Sequence, residues 1–260
     1  MAEGTIVFQS TPDGARGGWR GRCLSSVEGW ASANGAEWRL LDDRFLDPVP
    51  GWYRAKTADR PPVQADLARL IEARRLLDDG WRRVVWLDAD TLVFAPEGLR
   101  LDGLGPASFG VEHWVQADTR GRWRVRRNVH NALCVFEAGN SALDFLIDTV
   151  LSIVRRHDGP PAPQLVGPKL LSALQPLAGF PVTEAVGAFS PPVIADIAAG
   201  GGPALDALRR ATPHPPAAAN FAASLIGRET DGVTLTDALL ERAVDRLLGE
   251  RVLGWLDRGA

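Results

Sequence analysis

Val84-Val-Trp-Leu-Asp88-Ala-Asp90-Thr-Leu-Val-Phe94 carries an apolar run into two acids and straight back into apolar residues. The uninterrupted stretch Arg83-Val-Val-Trp-Leu87 belongs in the centre of a sheet covered on both faces, where strands lose the alternating pattern of half-exposed ones. Residues i and i+2 of an extended segment point to the same side, so Asp88 and Asp90 bring two carboxylates together at the end of a buried strand. The carboxyl ends of parallel strands are where open α/β sheets bind ligands. Two carboxylates held that close repel each other unless a proton or a cation lies between them. A hard divalent ion, Mn²⁺ or Mg²⁺, takes oxygen ligands, is often shared with substrate phosphates, and resolves the conflict. Asp is also a common turn residue, but a strand this apolar would not end in two acids without something to neutralise them. The expectation is a metal or phosphate role.

Working outward, Thr5-Ile-Val-Phe8 reads as a buried strand that runs into a turn-rich stretch from Thr11 to Gly18. Residues 23–33 carry Leu24, Val27, Trp30 and Ala31 at helical spacing, and Trp38-Arg-Leu-Leu41 gives a second strand ending in Asp42 and Asp43. The clearest helix covers 63–77, with Val63, Leu67, Leu70, Ile71 and Leu77 on one face. Pro61 and Pro62 punctuate its start and Asp78-Asp-Gly80 its end. Strands and helices alternating up to residue 87 are the pattern of a mainly parallel α/β sheet. The second half is more mixed, with strands expected over 107–112, 123–125 and 132–136 and a helix from Asn140 or Ser141 to about Arg156. A Gly/Pro-rich loop over 159–167 leads to a short helix opened by Pro168. Residues 190–216 are expected to be irregular and mobile apart from a helix near 205–210, and a last helix, capped by Thr236 or Asp237, runs to about Leu248.

Composition bounds the answer. The chain has 260 residues, 45% hydrophobic and 23% charged, which excludes disordered, collagen-like and coiled-coil classes. A chain of this length buries roughly three quarters of the surface its unfolded form exposes and needs no disulfide or structural metal to build a core. Its net charge of −3 argues against a nucleic-acid binder. Only Lys56 and Lys169 are lysines, against 27 arginines. Genomic base composition accounts for most of that excess, and part is open to function, because the flat guanidinium fork suits phosphate and carboxylate. Cys23 and Cys134 lack metal-ligand spacing and fit a reducing cytoplasm. No leader pattern opens the chain and no apolar run reaches bilayer length, so a cytoplasmic protein without a transmembrane segment is expected, with a peripheral place at the inner membrane face left open.

Two enzyme families use the Asp-x-Asp string. Haloacid-dehalogenase-like phosphohydrolases read hydrophobic-Asp-x-Asp-x-Thr/Val, and Asp88-Ala-Asp-Thr-Leu92 fits that pattern, with Asp88 as nucleophile and Asp90 as acid/base. That family usually begins with its nucleophile strand, whereas a strand-helix-strand-helix segment precedes this one. It also needs a later lysine, for which Lys169 stands, and a downstream acidic pair, for which only Asp196 and Asp206 are on offer. By contrast, the whole stretch from Ile6 to Phe94 resembles the glycosyltransferases of the DXD-containing sugar-binding-region family, which includes glucosylating bacterial toxins and fungal mannosyltransferases. Five pieces occur in the family's order: Ile6-Val-Phe-Gln9, Ser25-Ser-Val-Glu-Gly-Trp30, Leu40-Leu-Asp42-Asp43, Ala65-Asp66-Leu-Ala-Arg69 and Leu87-Asp88-Ala-Asp90. Farther on, Asn131-Ala-Leu-Cys-Val-Phe-Glu-Ala-Gly139 is similar to the family's Asn-containing strand and Gly167-Pro168 to its Gly-Pro loop. Gly80-Trp-Arg-Arg-Val replaces the usual Gly-Gly-x-Tyr and is closer to glycogenin-like relatives.

The resemblance implies a single-domain α/β protein of the Rossmann-like GT-A fold, with a mixed, mainly parallel central sheet flanked by helices. Residues 1–100 would form a nucleotide-sugar-binding half ending in the DXD motif, and residues 101–260 an acceptor-side half with the C-terminal helix. The implied donor is a UDP- or GDP-linked sugar, and the acceptor a glycan, a lipid-linked molecule or a small molecule. Asp90 would ligate the metal directly, while Asp88 would hold the donor ribose or sugar and reach the metal through water. Asp66 and Arg69 would bind donor-sugar hydroxyls; the plain alternative is a solvated i, i+3 ion pair worth about 0.2–0.5 kcal/mol. Gln9 and Ser10 would lie by the base, or simply end a strand, and Asn131 would contribute to donor binding. A further metal ligand would come from Asn220, from Ser224 or from His214. Arg126, Arg127 and His130 would meet a diphosphate or form a solvated strand edge. Related families retain anomeric configuration and need no protein base; an inverting enzyme would need one, such as Glu112 or Asp118. A phosphohydrolase, or a silent domain that binds a sugar nucleotide without turnover, stays as the alternative.

Overall fold

The structure, a computed structural model, describes residues 4–12, 14–212 and 214–249. In chain order the elements are β1 (Thr5–Ser10), α1 (Gly18–Ala33), β2 (Glu37–Leu41), α2 (Gly51–Lys56), α3 (Pro61–Asp78), β3 (Arg83–Leu87), β4 (Thr91–Val93), β5 (Ala107–Ala117) and β6 (Trp123–Glu137). They continue with α4 (Ala142–Arg156), α5 (Pro168–Ala178), β7 (Val182–Thr183), β8 (Val186–Ala188), α6 (Pro191–Ala199), α7 (Pro203–Ala211), β9 (Ala218–Asn220), β10 (Glu229–Thr230), β11 (Val233–Thr234) and α8 (Asp237–Gly249).

The main sheet has the order β2-β1-β3-β6-β5-β7. β1 pairs in parallel with β2 and β3, β6 runs antiparallel to both β3 and β5, and β7 is parallel to β5. Five of the six strands therefore point one way, the mixed but mainly parallel sheet that the alternation predicts. Side chains alternate through it into two separate cores. Ile6, Phe8, Val84, Trp86, Cys134 and Phe136 pack under α2, α3, α4 and α5. Val7, Val85, Leu87, Leu133 and Val135 pack under α1, α6, α7 and α8. This two-sided burial is why β3 reads as a continuous apolar run.

Local chemistry explains the helix ends. Pro61 and Pro62 occupy the first turn of α3, and Gly80 follows that helix with φ of 100°, a left-handed conformation that glycine adopts without a steric penalty. Asn140 accepts the Leu143 N–H at 2.9 Å ahead of α4, and Thr236 accepts the Leu239 N–H at 3.2 Å ahead of α8.

The segment 190–216 departs from expectation in part: α7 stands where a helix near 205–210 is expected, but α6 stands where an irregular stretch is expected. It holds two core helices, α6 and α7, in which Ile194, Ile197 and Leu205 are fully buried. Pro191, Pro192 and Pro203 sit in first turns, where a missing N–H costs nothing. The glycines lie between the helices, and Asp196 caps α7 by accepting from Ala204 N at 2.7 Å and Leu205 N at 3.0 Å. The strands expected over 123–125 and 132–136 are one strand of 15 residues, β6, and α1 begins at Gly18 rather than at 23. Among the described residues, no helix is long and apolar enough to cross a membrane.

Candidate functional site

The main sheet gives way at the end of β3. Asp88 N still donates to Ala132 O on β6 at 3.0 Å, but Thr91 N then donates to Asp88 O at 3.0 Å. That turn swings the chain out of the main sheet into β4, part of a small sheet of order β4-β9-β8. Asp88 and Asp90 sit in the turn, at the C-terminal edge of β3.

Both carboxylates are held. Asp88 Oδ1 accepts from Trp86 Nε1 at 2.7 Å and Arg69 Nη1 at 3.0 Å. Asp90 Oδ1 accepts from Asn220 Nδ2 at 2.6 Å, and Asp90 Oδ2 from Ala223 N at 2.7 Å. The same Asn220 Nδ2 lies 3.3 Å from Asp88 Oδ2, so one amide bridges the two acids. Asn220 Oδ1 in turn accepts from Ala222 N at 2.8 Å. Ala222 adopts φ of 48°, uncommon for a residue with a side chain, and this turns the Ala223 N–H onto Asp90. Burial first, and then the neighbouring Asp88 charge, raise the Asp90 carboxyl above the usual carboxylate range.

Arg69 is the hub behind the pair. Its side chain is 7% exposed and lies over the Trp86 ring at 4.9 Å. It donates to Asp88 Oδ1, to Asn131 O at 2.6 Å and to Ala65 O at 3.2 Å, and pairs with Asp66 Oδ1 at 3.2 Å. Asp66, itself 5% exposed, also accepts from Asn131 Nδ2 at 2.7 Å. Burial pushes the Asp66 carboxyl up to about 6 against the opposing pull of Arg69 and the Asn131 hydrogen bond. Asp66 and Arg69 are therefore no solvated i, i+3 pair but a buried brace between α3, β6 and the Asp88 carboxylate. The backbone of Gly167 closes over this brace: a Cβ there would stand 2.7 Å from Asp66 Oδ2 and 2.8 Å from Asn131 Nδ2.

The structure brings Asp66, Arg69, Asp88, Asp90, Asn131 and Asn220 into one hydrogen-bonded group. Gln9 is tied to it from below, fully buried, with Nε2 donating to Asp88 O at 3.1 Å and Oε1 accepting from Trp38 Nε1 at 3.0 Å. Both ends of its amide are thus engaged inside the protein, and its contact with the site is through the Asp88 carbonyl. Ser10 ends β1, half-buried. Of the other candidates for a metal ligand, Ser224 is exposed beyond Ala223, and His214 is exposed on the loop that enters β9, at the opposite end of that strand from Asn220.

Three expectations need correction. His130 does not cluster with Arg126 and Arg127: it is 3% exposed, its Nδ1 accepts from Ala132 N at 3.1 Å, and Nε2 is left to donate to Val186 O at 2.9 Å. Asp118 is no poised base, because the Arg122 backbone N–H above all, with Arg120 N–H and the Arg124 and Arg122 guanidiniums, holds it below the usual range. The acids wanted downstream by a phosphohydrolase are spent elsewhere, Asp196 as the cap of α7 and Asp206 in a pair with Arg209, while Lys169 is exposed. Glu112 accepts from Asn128 Nδ2 at 3.0 Å across the β5–β6 pair.

One determinant escaped the sequence reading. The β5–β6 register jumps from Phe109↔Cys134 to Gly110↔His130, leaving residues 131–133 without partners on β5. This bulge aims Asn131 at Asp66, and bulges are over-represented beside active sites. Gly110 makes room for the His130 ring, since a Cβ at that position would stand 2.3 Å from Nε2. A lone glycine inside an apolar strand pattern is the signal that points to such a bulge.

No family model matches the sequence, and no curated protein matches it. Among solved structures the fold is similar to a crystal structure of a glycosyltransferase involved in the glycosylation of the major capsid of PBCV-1, with a TM-score of 0.50 and 11% identity over 93% of this chain and 98% of that one. The apo structure of the WbbM bifunctional glycosyltransferase aligns with 98% of this chain and 51% of its own, at 11% identity and a TM-score of 0.42. At this identity the shared property is the fold: a GT-A-like mixed sheet flanked by helices.

Proposed function

We propose that the chain is a glycosyltransferase that moves a sugar from a UDP- or GDP-linked donor to a glycan, lipid-linked or small-molecule acceptor, with Mn²⁺ or Mg²⁺ held at Asp88 and Asp90. The observation that carries this reading is the bridge itself: one Asn220 N–H group spans the two carboxylates, and burial together with the neighbouring Asp88 charge disfavours the ionised form of Asp90. A hard cation suits the two carboxylates, because it takes carboxylate oxygens and keeps remaining positions for water and donor phosphates; it would take the place between them that the Asn220 N–H group now fills. Among the described residues no third His, Cys, Asp or Glu joins the pair. A bound cation would supply Lewis-acid stabilisation of the charge that develops on the departing diphosphate.

The rest of the work falls to the chain. Arg69 and Trp86 fix Asp88 Oδ1, so that Oδ2 is the oxygen turned toward Asn220 and Asp90. The Ala223 N–H fixes Asp90 Oδ2. Such a preset array needs no reorganisation as charge develops, which is where electrostatic catalysis gains most. Asn131, held through its own carbonyl by Arg69, lines the donor side. Retention, by displacement on the front face without a protein base, is favoured by the engagement of Asp118 and Glu112 with neighbouring side chains.

The test is release of nucleoside diphosphate from a panel of UDP- and GDP-sugars with Mn²⁺. Asp90→Asn is expected to lower it by on the order of 10²–10³. Turnover untouched by that substitution with chelator present overturns the reading. Calorimetric binding of a sugar nucleotide without any release would instead favour a silent binding domain.

A further inference from the structure

The β5–β6 pair runs past the sheet it belongs to. β3 ends at Leu87, opposite Leu133, yet β5 and β6 stay paired from Gly110↔His130 out to Ala117↔Trp123. At about 3.4 Å per residue this ribbon overhangs by roughly 24 Å, and it does so from the edge of the sheet that carries Asp88 and Asp90. Its two faces differ sharply. Val115, Val125 and Trp123 face inward and join the core under α7 and β8. The other face presents Arg122, Arg124 and Arg126, at i, i+2 and i+4, beside Trp114, the cross-strand partner of Arg126.

Residues 120–127 hold five arginines in a chain whose net charge is −3. All five are exposed, Arg127 on the side of Val125 and Trp123, where it pairs with Glu184 at 3.5 Å. Asp118 takes Arg122 and Arg124 through their Nε atoms, at 3.0 and 3.1 Å, and both side chains remain 56% exposed. Asp118 thus orders the two guanidiniums on one side of the ribbon without covering them.

We propose that the outward face of this ribbon docks the protein on an anionic lipid surface. The arginines supply the attraction to acidic headgroups. Half-buried Trp114 supplies the amphipathic ring that sits well at headgroup level. The pattern fits lipid better than nucleic acid, because proteins that track single strands line a basic groove with a series of stacking aromatics, and this face has one tryptophan and lies on a protruding ribbon. Docking in this way turns the edge that bears Asp88 and Asp90 toward the membrane. The inference goes beyond the transfer reading and does not depend on it.

Flotation of the whole chain with vesicles tests it. Binding is expected to vesicles of phosphatidylcholine mixed with phosphatidylglycerol and not to phosphatidylcholine alone, with loss at high salt, where the screening length falls to about 3 Å at 1 M. Each basic residue near such a surface adds about fivefold to partition, so Arg122→Gln/Arg124→Gln/Arg126→Gln should weaken binding by on the order of 100-fold. The matching triple change to Lys should keep most of it, and a circular dichroism melt shows that both variants are folded. Equal binding to neutral vesicles, or indifference to the Gln changes in a folded variant, overturns the proposal. So does tighter binding, through the same arginines, to a single-stranded oligonucleotide.

Discussion

Arg69→Met is the sharpest test of the brace beneath the site. The substitution keeps an unbranched apolar stem beside Trp86 and removes the charge. Asp66, whose side chain is 6% exposed, is then left with the Asn131 N–H alone, and the Asn131 carbonyl loses its 2.6 Å donor. Removing one partner of a buried pair costs about 3–5 kcal/mol, because the other charge stays behind uncompensated. Asp88 adds less, since its side chain is 26% exposed and water replaces part of what is lost. For a chain of this size each kcal/mol moves the melting point by roughly 2–4 °C, so a drop of about 10 °C is expected at pH 7. The loss also depends on pH with a definite sign. Asp66 already titrates at about 6 instead of 3.8, and Arg69 is the main group holding it down. A carboxyl raised in the folded state contributes stability that is fully present below its unfolded value and disappears as pH climbs through the folded one. Without Arg69 the folded value rises further, so the variant should recover part of its deficit between pH 7 and pH 5. Urea unfolding at both pH values reads this directly. A deficit under about 1 kcal/mol at pH 7, or one of the same size at pH 5, refutes the buried brace.

Other substitutions probe separate parts of the account. Gly167→Ala drives a methyl group to 2.7 Å from Asp66 Oδ2, and overpacking of this kind should cost about 1–3 kcal/mol by urea unfolding; a neutral result would mean that the loop does not rest on the brace. Asn220→Ala removes the bridge between the acids, and because an unmade buried hydrogen bond costs about 1–3 kcal/mol, it should lower the melting point at pH 7 and lower it less at pH 5, where Asp90 is more protonated. Ile194→Ala truncates a fully buried side chain in α6 and should cost about 2–5 kcal/mol; a change below 0.5 kcal/mol would restore the mobile-loop view of this segment.

What the sequence disclosed follows from where information is local. The strand over 83–87 and the acids after it were legible because two-sided burial writes itself as an unbroken apolar run, and a carboxylate pair after such a run is conspicuous. The helix over 63–77 was legible from its period and its prolines. Residues 191–199 were not, because Pro at helix starts and Gly at helix stops look like loop composition unless each is placed at its position in a turn. The role of Arg69 was equally hidden. An i, i+3 acid–arginine pair looks the same on a solvated face as under a bulge, and the bulge at residues 131–133 is a matter of register between β5 and β6, two strands joined by a distant hairpin turn. Asn220, which reaches Asp88 across 132 residues of chain, was a candidate only through the family resemblance, because no local pattern marks it. His130 illustrates the opposite error: it lies three and four residues from Arg127 and Arg126, where β6 passes from its exposed overhang into the buried sheet, so nearness in sequence said little about shared surroundings.

The central claim is that Asp88 and Asp90 together hold a divalent cation and, with it, a nucleoside diphosphate. Calorimetric titration of Mn²⁺ into the protein, with UDP or GDP present, tests it most directly. Saturable binding is expected for the unaltered chain, with the nucleotide and the metal each tightening the other, and loss of both in Asp90→Asn. Nucleotide binding that ignores Mn²⁺, or Mn²⁺ binding that survives Asp90→Asn unchanged, would contradict it.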